Sequence, residues 1–269
     1  MKTKIINNWR IKQLRSAYGV KDKFSLLFFY LLSILTFPLW KIKKFNMFKL
    51  FLPFDVIVRN KDGVYFCRKR SHDIWYSRED YEEEIRNYFQ IDNGVFIDIG
   101  AHIGKYTILV GRRLKKGLVI AIEPLRQNFK ALLLNIEINN LKNKIIPLNV
   151  ALYSRCTRLK LYLAPEIDTG NHSLYRRLTE KYQEVKAITF DYMIKKLKIN
   201  PKSIKLIKID VEGAEKDVLK GAKILKRCNA RIIFESLDRK SLLICKKILE
   251  SYGYKKIYKI SEHNFLARK

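Results

Sequence analysis

The sequence predicts an α/β fold with a seven-stranded, mostly parallel sheet that has one antiparallel strand and helices on both faces. From about residue 55 onward, short apolar runs alternate with longer helical runs, which is the pattern of βαβ units. The last two runs, residues 255–260 and 264–268, are joined by only three residues. Parallel neighbours need a crossover of about a dozen residues, so one strand at the end of this sheet must be antiparallel.

The amino-acid composition limits the classes of protein to which this chain can belong. The 269 residues are 48% hydrophobic, which is enough to bury a core and excludes a disordered chain. The excess of 55 Lys and Arg over 26 Asp and Glu gives a net charge of +29, which suits either anionic partners or a generic Lys-rich surface. The four cysteines form no CxxC pair and the histidines are scattered. We therefore expect a reduced, cytoplasmic protein without a metal site.

The first 49 residues differ in character from the rest. They contain 11 Lys or Arg and one acid, and residues 24–40 are free of charge. Basic residues flank this stretch on both sides, which argues against a simple span and favours a segment on the cytoplasmic face of a membrane. The alternative is a helix packed against the body. We predict a basic segment over 1–49, a hairpin and helix over 50–90, and the main domain over 91–269.

The elements follow in order from local patterns. Residues 55–59 and 64–67, separated by a turn, predict a β-hairpin. Residues 77–89 predict a helix with Ser77 as its N-cap. Apolar runs predict strands over 95–99, 118–122, 144–151, 204–210 and 231–235, with further strands over 158–163 and 185–190. Helical runs between them cover 104–114, 126–139, 214–225 and 238–252.

The loop over residues 98–104, DIGAHIG, joins a strand to a helix and carries the first candidate site. Gly100 and Gly104 permit a tight turn and close approach to a ligand, and the helix start offers free N–H groups. A dinucleotide-binding loop would have a glycine at position 102, where this chain has His102. The Asp98 carboxylate suits a ligand that carries an amino-acid cation and would repel a pyrophosphate.

Glu123 ends the next strand and supplies the second part of the site. A carboxylate there accepts hydrogen bonds from both ribose hydroxyls, and such ligands bind at the carboxyl ends of the strands. A cation site at Asp98 and a ribose site at Glu123 together predict a pocket for S-adenosylmethionine. We expect its lining to come from residues in the two loops: Asp98, Gly100, Ala101, Gly104, Glu123 and Pro124.

A third cluster of acids follows the strand over 204–210. Asp210, Glu212 and Glu215 lie within six residues at the start of a helix. Acids at this position often act only as caps or dipole partners. Beside a cofactor pocket, a carboxylate can instead take a proton from a substrate hydroxyl or bind a divalent cation. We predict Asp210 and Glu212 as catalytic residues and leave Glu215 open between the two roles.

These segments resemble the FkbM family of methyltransferases. The resemblance rests on residues 98–107 (DIGAHIGKYT), 123–124 (EP), 170–174 (GNHSL), 189–191 (TFD) and 208–215 (KIDVEGAE). It implies the seven-stranded class I methyltransferase fold and S-adenosylmethionine-dependent O-methylation, often of sugar or natural-product hydroxyls. It also implies that Asp98, Gly100, Gly104 and Glu123 contact the cofactor and that Asp210 lies near the methyl group. His102 stands where the family usually has Asn.

Three functions remain open at this level. The first is O-methylation of a sugar, glycan or other small molecule, with His172 and Glu235 as further candidates in the acceptor pocket. The second is an RNA methyltransferase that uses the basic surface, including a run of lysines at positions 195, 196, 198, 202 and 205. The third is a non-catalytic, membrane-associated scaffold. The acceptor and the oligomeric state are not predicted.

Overall fold

The computed structural model describes residues 14–35, 52–165 and 169–269. In these ranges the strands are β1 Val56–Arg59, β2 Val64–Cys67, β3 Asn93–Ile99, β4 Lys116–Ile122, β5 Ile145–Leu148, β6 Ala151–Leu152, β7 Thr157–Tyr162, β8 Tyr182–Ile188, β9 Ile204–Ile209, β10 Arg231–Glu235, β11 Lys256–Lys259 and β12 Asn264–Arg268. The helices are α1 Val20–Leu35, α2 Asp73–Tyr76, α3 Glu83–Arg86, α4 Lys105–Arg113, α5 Arg126–Ile138, α6 Phe190–Lys196, α7 Glu215–Lys220 and α8 Arg239–Ser251.

The predicted seven-stranded sheet is confirmed within the described part of the chain. Its strand order is β11-β12-β10-β9-β3-β4-β5. Strand β12 is antiparallel to both of its neighbours, and the pairs among β10, β9, β3, β4 and β5 are parallel. The strand order reverses between β3 and β9, and this is where ligands bind in open α/β sheets.

Helices cover both faces of this sheet, as predicted, because its central strands are apolar on both sides. On one face, α6, α7 and α8 pack over side chains that include Ile97, Ile120 and Ile207. On the other face, α1, α4, α5 and the β1–β2 hairpin pack over a layer that includes Phe96 and Val119. Strands buried on both faces form the near-continuous apolar runs from which the parallel sheet was predicted.

The helix predicted over residues 77–89 is confirmed only over residues 83–89, and Ser77 is not its N-cap. Ser77 closes the short helix α2 instead of opening a new one, because its N–H donates to the Asp73 carbonyl (2.9 Å) and its hydroxyl to the Ile74 carbonyl (3.1 Å). A helix resumes at α3, after Glu82 in the left-handed region (φ +53°), and a 3₁₀ turn follows. The Lys105 ammonium donates to the Arg78 and Tyr81 carbonyls, which a continuous helix would have used internally.

Two other predicted elements are divided. The strand predicted over 144–151 consists of β5, at the edge of the main sheet, and β6, which joins β8 and β7 in a three-stranded sheet. Between them the Asn149 amide donates to the Glu123 carbonyl (2.8 Å) and turns the chain. The helix predicted over 214–225 ends at Gly221, where a Cβ would lie 2.2 Å from the Tyr153 carbonyl, and a 3₁₀ helix follows.

The predicted N-terminal helix is present as α1, and residues 36–40 of the apolar stretch lie outside the described ranges. The helix is attached to β1 of the hairpin. Asp22 accepts hydrogen bonds from the N–H groups of Gly19 (3.2 Å) and Ile57 (3.1 Å). Over the residues that the structure describes, no helix is long and apolar enough to cross a membrane.

Candidate functional site

A cleft of about 270 Å³ opens at the carboxyl ends of β3, β4, β9 and β10. It brings together most of the predicted site residues, namely Asp98, Gly100, Ala101, Glu123, Pro124, Asp210 and Glu212, as well as His102, His172 and Glu235. Gly104 and Glu215 do not line it. Side chains from positions 98 to 235 meet in one site because parallel strands bring their carboxyl ends to the same edge of the sheet.

Asp98 is buried at the base of the cleft, with 1% of its surface exposed. Its Oδ2 accepts a hydrogen bond from the Thr107 hydroxyl (2.6 Å), whereas its Oδ1 has no hydrogen-bond partner among the described residues. Burial raises the pKa of Asp98, and the nearby Lys208 ammonium opposes that shift. An unpartnered buried carboxylate oxygen is costly, so this atom fits a cationic ligand group such as an amino-acid ammonium.

The two glycines of the loop are required first by the protein itself. Gly100 has φ +83°, and a Cβ there would lie 1.7 Å from the Asp210 carbonyl oxygen. Gly104 has φ +94°, and a Cβ there would lie 2.7 Å from the side chain of Leu132 on α5. Both glycines therefore let the β3–α4 turn pack closely against β9 and α5. Gly100 also lines the cleft, but Gly104 serves the packing of α4.

Glu123 has an orientation fixed by two backbone groups. Its Oε1 accepts a hydrogen bond from the Leu125 N–H and its Oε2 from the His102 N–H, both at 2.9 Å. Burial raises the pKa of Glu123 to about 7, and the two N–H donors oppose this. Each oxygen keeps a second lone pair, which suits a pair of vicinal ribose hydroxyls. His102 adopts φ +52°, a conformation in which Asn and His are enriched.

Asp210 and Glu235 form a carboxyl pair whose members have opposite protonation preferences. The Lys208 ammonium lies 2.7 Å from Asp210 Oδ2 and is itself buried. Although burial acts in the other direction, Lys208 keeps the pKa of Asp210 below its ordinary value. Burial, followed by the charges of Asp210 and Glu212, raises the pKa of Glu235 to about 10. Near neutral pH, Asp210 is therefore charged and Glu235 carries a proton.

Glu212 lies at the rim of the cleft, in the left-handed region (φ +54°). Its carboxylate pairs with the Arg176 guanidinium, and its carbonyl accepts a hydrogen bond from the Ser173 hydroxyl (2.7 Å). Ser173 belongs to the GNHSL loop, in which His172 Nδ1 accepts the Ala164 N–H (2.9 Å). The loop thus holds Glu212 and Arg176 at the mouth of the cleft, and His172 helps to hold the loop.

Single carboxylate oxygens of Asp210, Glu212 and Glu235 lie within 4.8 Å of one another, a spacing at which carboxylates can share a metal ion. Two of these carboxylates already have cationic partners in the protein, since Lys208 pairs with Asp210 and Arg176 pairs with Glu212. Glu215 has a structural role: its Oε1 accepts the N–H groups of Val211 and Gly213, both at 3.1 Å.

A buried polar network behind the His102 loop was not predicted from the sequence. Arg68 makes a two-point contact with the fully buried Asp73 (2.6 and 2.8 Å), and it also donates to Asn128 Oδ1 (2.8 Å). The Thr169 hydroxyl connects Asp73 (3.1 Å) with His102 Nε2 (3.1 Å). These residues are spread over about 100 positions, and no local pattern in the sequence marks them.

A second unpredicted group lines the cleft beside Asp210. Lys105 lies under the Tyr81 ring (4.6 Å), and its pKa is lowered by burial to about 8. The Tyr106 hydroxyl donates to Glu82 (2.7 Å), and the Tyr106 ring lies 5.2 Å from the Lys208 ammonium. The residues KYT directly after the glycine loop were the only sequence signal for this group.

Comparison with known proteins agrees with this site. The model of the "Methyltransferase FkbM domain" matches residues 98–256. "Methyltransferase 1" of Beauveria bassiana (strain ARSEF 2860) is 27% identical over 150 residues, which are 48% of this chain and 59% of that protein. The chain therefore spans about three fifths of that relative.

Among solved structures, M. jannaschii TYW2 in complex with AdoMet is 18% identical, with a TM-score of 0.43, over 80% of this chain and 84% of its own. Precorrin-6y C5,15-methyltransferase from Geobacter metallireducens GS-15 is 14% identical, with a TM-score of 0.43, over 70% of this chain and 90% of its own. Neither likeness bears on the acceptor of this chain.

The family match covers more than half of the chain and includes Asp98, Glu123 and Asp210. It confirms the resemblance to the FkbM methyltransferases seen in the sequence, and it supports S-adenosylmethionine as the cofactor. The buried Asp98 oxygen and the fixed Glu123 carboxylate fit the ammonium and ribose groups of that molecule. On this evidence, the chain belongs to the FkbM methyltransferase family.

Proposed function

We propose that this methyltransferase acts on a hydroxyl oxygen of a sugar, glycan or other small molecule. The observation that carries the proposal is the Asp210 carboxylate, which lines the same cleft as Asp98 and Glu123 and accepts a hydrogen bond from the buried Lys208 ammonium (2.7 Å). A hydroxyl loses its proton as its oxygen becomes bonded to carbon, so its methylation benefits from a carboxylate in hydrogen-bond contact.

The donor half of the cleft would be formed by the β3–α4 and β4–α5 turns. Asp98 would hold the ammonium of S-adenosylmethionine and Glu123 its ribose, with Gly100, Ala101 and Pro124 as the surrounding wall. When bound, S-adenosylmethionine supplies a methyl group activated by its sulfonium. Apolar side chains beside Glu123, including Val150, Leu152 and Leu161, offer a dry surface that suits a planar base.

In the acceptor half, Asp210 would accept a hydrogen bond from the substrate hydroxyl. As the hydroxyl oxygen takes up the methyl group, its proton would pass to Asp210. Lys208 holds the Asp210 carboxylate in position, and Glu235 offers a neutral donor to a second hydroxyl of the acceptor. Three tyrosines line this half, Tyr76, Tyr81 and Tyr106, and aromatic surfaces with polar edges suit a sugar ring.

An RNA acceptor has less support. The lysine run that motivated it extends from the end of α6 to the start of β9, and all five lysines are exposed. The cleft lies at the opposite end of β9, and six strand residues span about 20 Å. RNA bound over these lysines would therefore contact the protein far from Asp210.

The donor site is tested by calorimetric titration of S-adenosylmethionine into the full chain and into Asp98→Asn. Asparagine keeps the Thr107 hydrogen bond but removes the charge, so we expect affinity to fall by at least about tenfold, or about 1.4 kcal/mol. Glu262→Gln, an acid-to-amide change at an exposed position, serves as the control. Equal affinity of Asp98→Asn and the parent chain would contradict the assignment of the pocket.

The acceptor is tested by following transfer of a radiolabelled methyl group to a panel of oligosaccharides, glycolipids and RNA. We expect label in a carbohydrate fraction, and we expect Asp210→Asn to bind the donor normally while transfer falls by about 10²-fold or more. Label found only in RNA would overturn the proposed acceptor class. Undiminished transfer by Asp210→Asn would instead remove Asp210 from its proposed role.

A further inference from the structure

Helix α1 carries an apolar face that no described residue covers. We define the outer face of α1 as Val20, Phe24, Leu27, Phe28 and Leu31, whose side chains are between 42% and 71% exposed. These positions recur every three or four residues and so form one stripe along the helix. The opposite side packs into the core through Leu26 and Tyr30, at 0% and 4% exposed.

The basic and acidic residues of α1 lie on different sides of the helix relative to this stripe. At 100° per residue, Lys21 and Lys23 fall on the two sides of the outer face, and both are exposed. The one acid, Asp22, is directed toward the body, where it accepts the Gly19 and Ile57 N–H groups. Near the start of the helix, the Arg59 guanidinium lies 4.5 Å over the half-exposed ring of Tyr18. The solvent side of α1 is therefore apolar with a purely basic margin.

We propose that the outer face of α1 docks this chain on the surface of a bilayer that contains anionic lipid. An apolar stripe flanked by lysines and a Tyr–Arg pair suits the boundary between acyl chains and acidic headgroups. With 16 residues, α1 would lie in the plane of that boundary. The first 49 residues carry 11 Lys or Arg and one acid, so charge complementarity extends along the segment.

A second copy of this chain fits the outer face of α1 less well than an anionic bilayer does. Two α1 helices meeting through their outer faces would bring Lys21 and Lys23 of one copy against the same lysines of the other. No acid on the solvent side of α1 is available to pair with them, since Asp22 is held by the body. Like charges across an interface oppose association, whereas anionic headgroups neutralise the same lysines.

The test is flotation of the full chain with vesicles of phosphatidylcholine alone or of phosphatidylcholine mixed with phosphatidylglycerol. We expect binding to the mixed vesicles, weak binding to the neutral ones, and release at high salt. Phe24→Ser combined with Phe28→Ser should lower binding to mixed vesicles by at least about tenfold. Leu133→Ser combined with Leu243→Ser, which alters exposed leucines on other helices, should leave it unchanged.

Three results would overturn the proposal. Vesicle binding that survives the double Phe→Ser change would assign the contact to another segment. A dimer that dissociates on that change, without vesicle binding by the parent chain, would assign the face to a second copy. A lower melting temperature of the double variant, again without vesicle binding by the parent chain, would show that the chain covers this face itself. Circular dichroism of both double variants confirms that they fold.

Discussion

At the scale of single residues, the cleft is a set of buried ionisable groups whose pKa values are displaced by burial and by neighbouring charges. Burial raises the pKa of Glu123 to about 7 and that of Glu235 to about 10, whereas the Lys208 ammonium keeps Asp210 charged. Each shift has a local cause that can be removed by one substitution. Because these pKa values differ between the folded and the unfolded chain, the free energy of unfolding depends on pH.

Glu235→Gln should change that dependence. In the folded chain the pKa of Glu235 is about 10, compared with an ordinary value of 4.5, so its contribution is fully present below pH 4.5 and is lost as the pH rises toward 10. Glutamine cannot lose a proton, and we therefore expect the variant to melt a few degrees above the parent chain at pH 8–9, about 1 kcal/mol of unfolding free energy or more.

Thermal unfolding followed by circular dichroism between pH 4 and 9 measures this difference. At pH 4 the two melting temperatures should agree closely, since Glu235 is then protonated even in the unfolded chain. The exposed Glu262→Gln serves as the control at each pH. Parallel pH curves for the parent and Glu235→Gln would show that Glu235 is not held protonated.

At the scale of elements, the β3–α4 turn connects the fold to the site. Gly100 approaches the Asp210 carbonyl so closely that β3 and β9 bring Asp98 and Asp210 into one cleft. Gly213, in the loop after β9, has a similar positive φ of +100°, but a Cβ added there would meet no atom of the described residues within 4 Å. Comparison of Gly100 with Gly213 therefore distinguishes the cost of a steric clash from the cost of a left-handed backbone conformation.

Gly100→Ala should therefore be far more damaging than Gly213→Ala. We expect Gly213→Ala to lower the unfolding free energy by about 1–2 kcal/mol, the cost of a left-handed alanine. Gly100→Ala should lose several kcal/mol, or fail to fold, because the β3–α4 turn must move away from Asp210. Urea unfolding of both variants measures the difference. If the two variants lost similar amounts of unfolding free energy, the β3–α4 turn would be able to accommodate the added Cβ at position 100 without further cost.

At the scale of the whole molecule, the +29 charge is spread over surfaces with different roles. Lys208 and Lys105 are buried in the cleft, Lys21 and Lys23 flank the outer face of α1, and the lysine run near β9 lies at the opposite end of the sheet from the cleft. Net charge alone therefore does not identify an anionic substrate, because these groups of lysines do not form one patch.

Lys202→Gln combined with Lys205→Gln tests this separation of charge. We expect methyl transfer to a small acceptor to stay within about twofold of the parent rate, since Lys205 at the start of β9 and Lys202 just before it are both exposed, at the end of the strand away from the cleft. Any binding to a single-stranded RNA should weaken, and its salt dependence should become less steep. A large loss of methyl transfer would show instead that the lysine run contributes to substrate binding.

The main sheet and the donor half of the cleft were predictable because their signals are local. Apolar runs, the glycine loop and the acids at strand ends indicated β3, β4, β9 and the positions of Asp98, Glu123 and Asp210. The divided strand over 144–151 was not predictable, because the Asn149 amide that turns the chain bonds to a carbonyl 26 residues away. The helix predicted over 77–89 begins only at Glu83, because Ser77 closes α2 and the Lys105 ammonium, distant in the sequence, contacts the Arg78 and Tyr81 carbonyls.

The sequence by itself determined which residues would meet, since the carboxyl ends of parallel strands share one edge of the sheet. Only the tertiary structure decided their protonation states and partners. A pKa depends on burial and on charges within a few ångströms, and the pKa of Glu235 is raised first by burial and then by Asp210 and Glu212, which precede it by more than 20 residues. The same holds for α1, whose outer and buried faces are distinguished only by what packs against them.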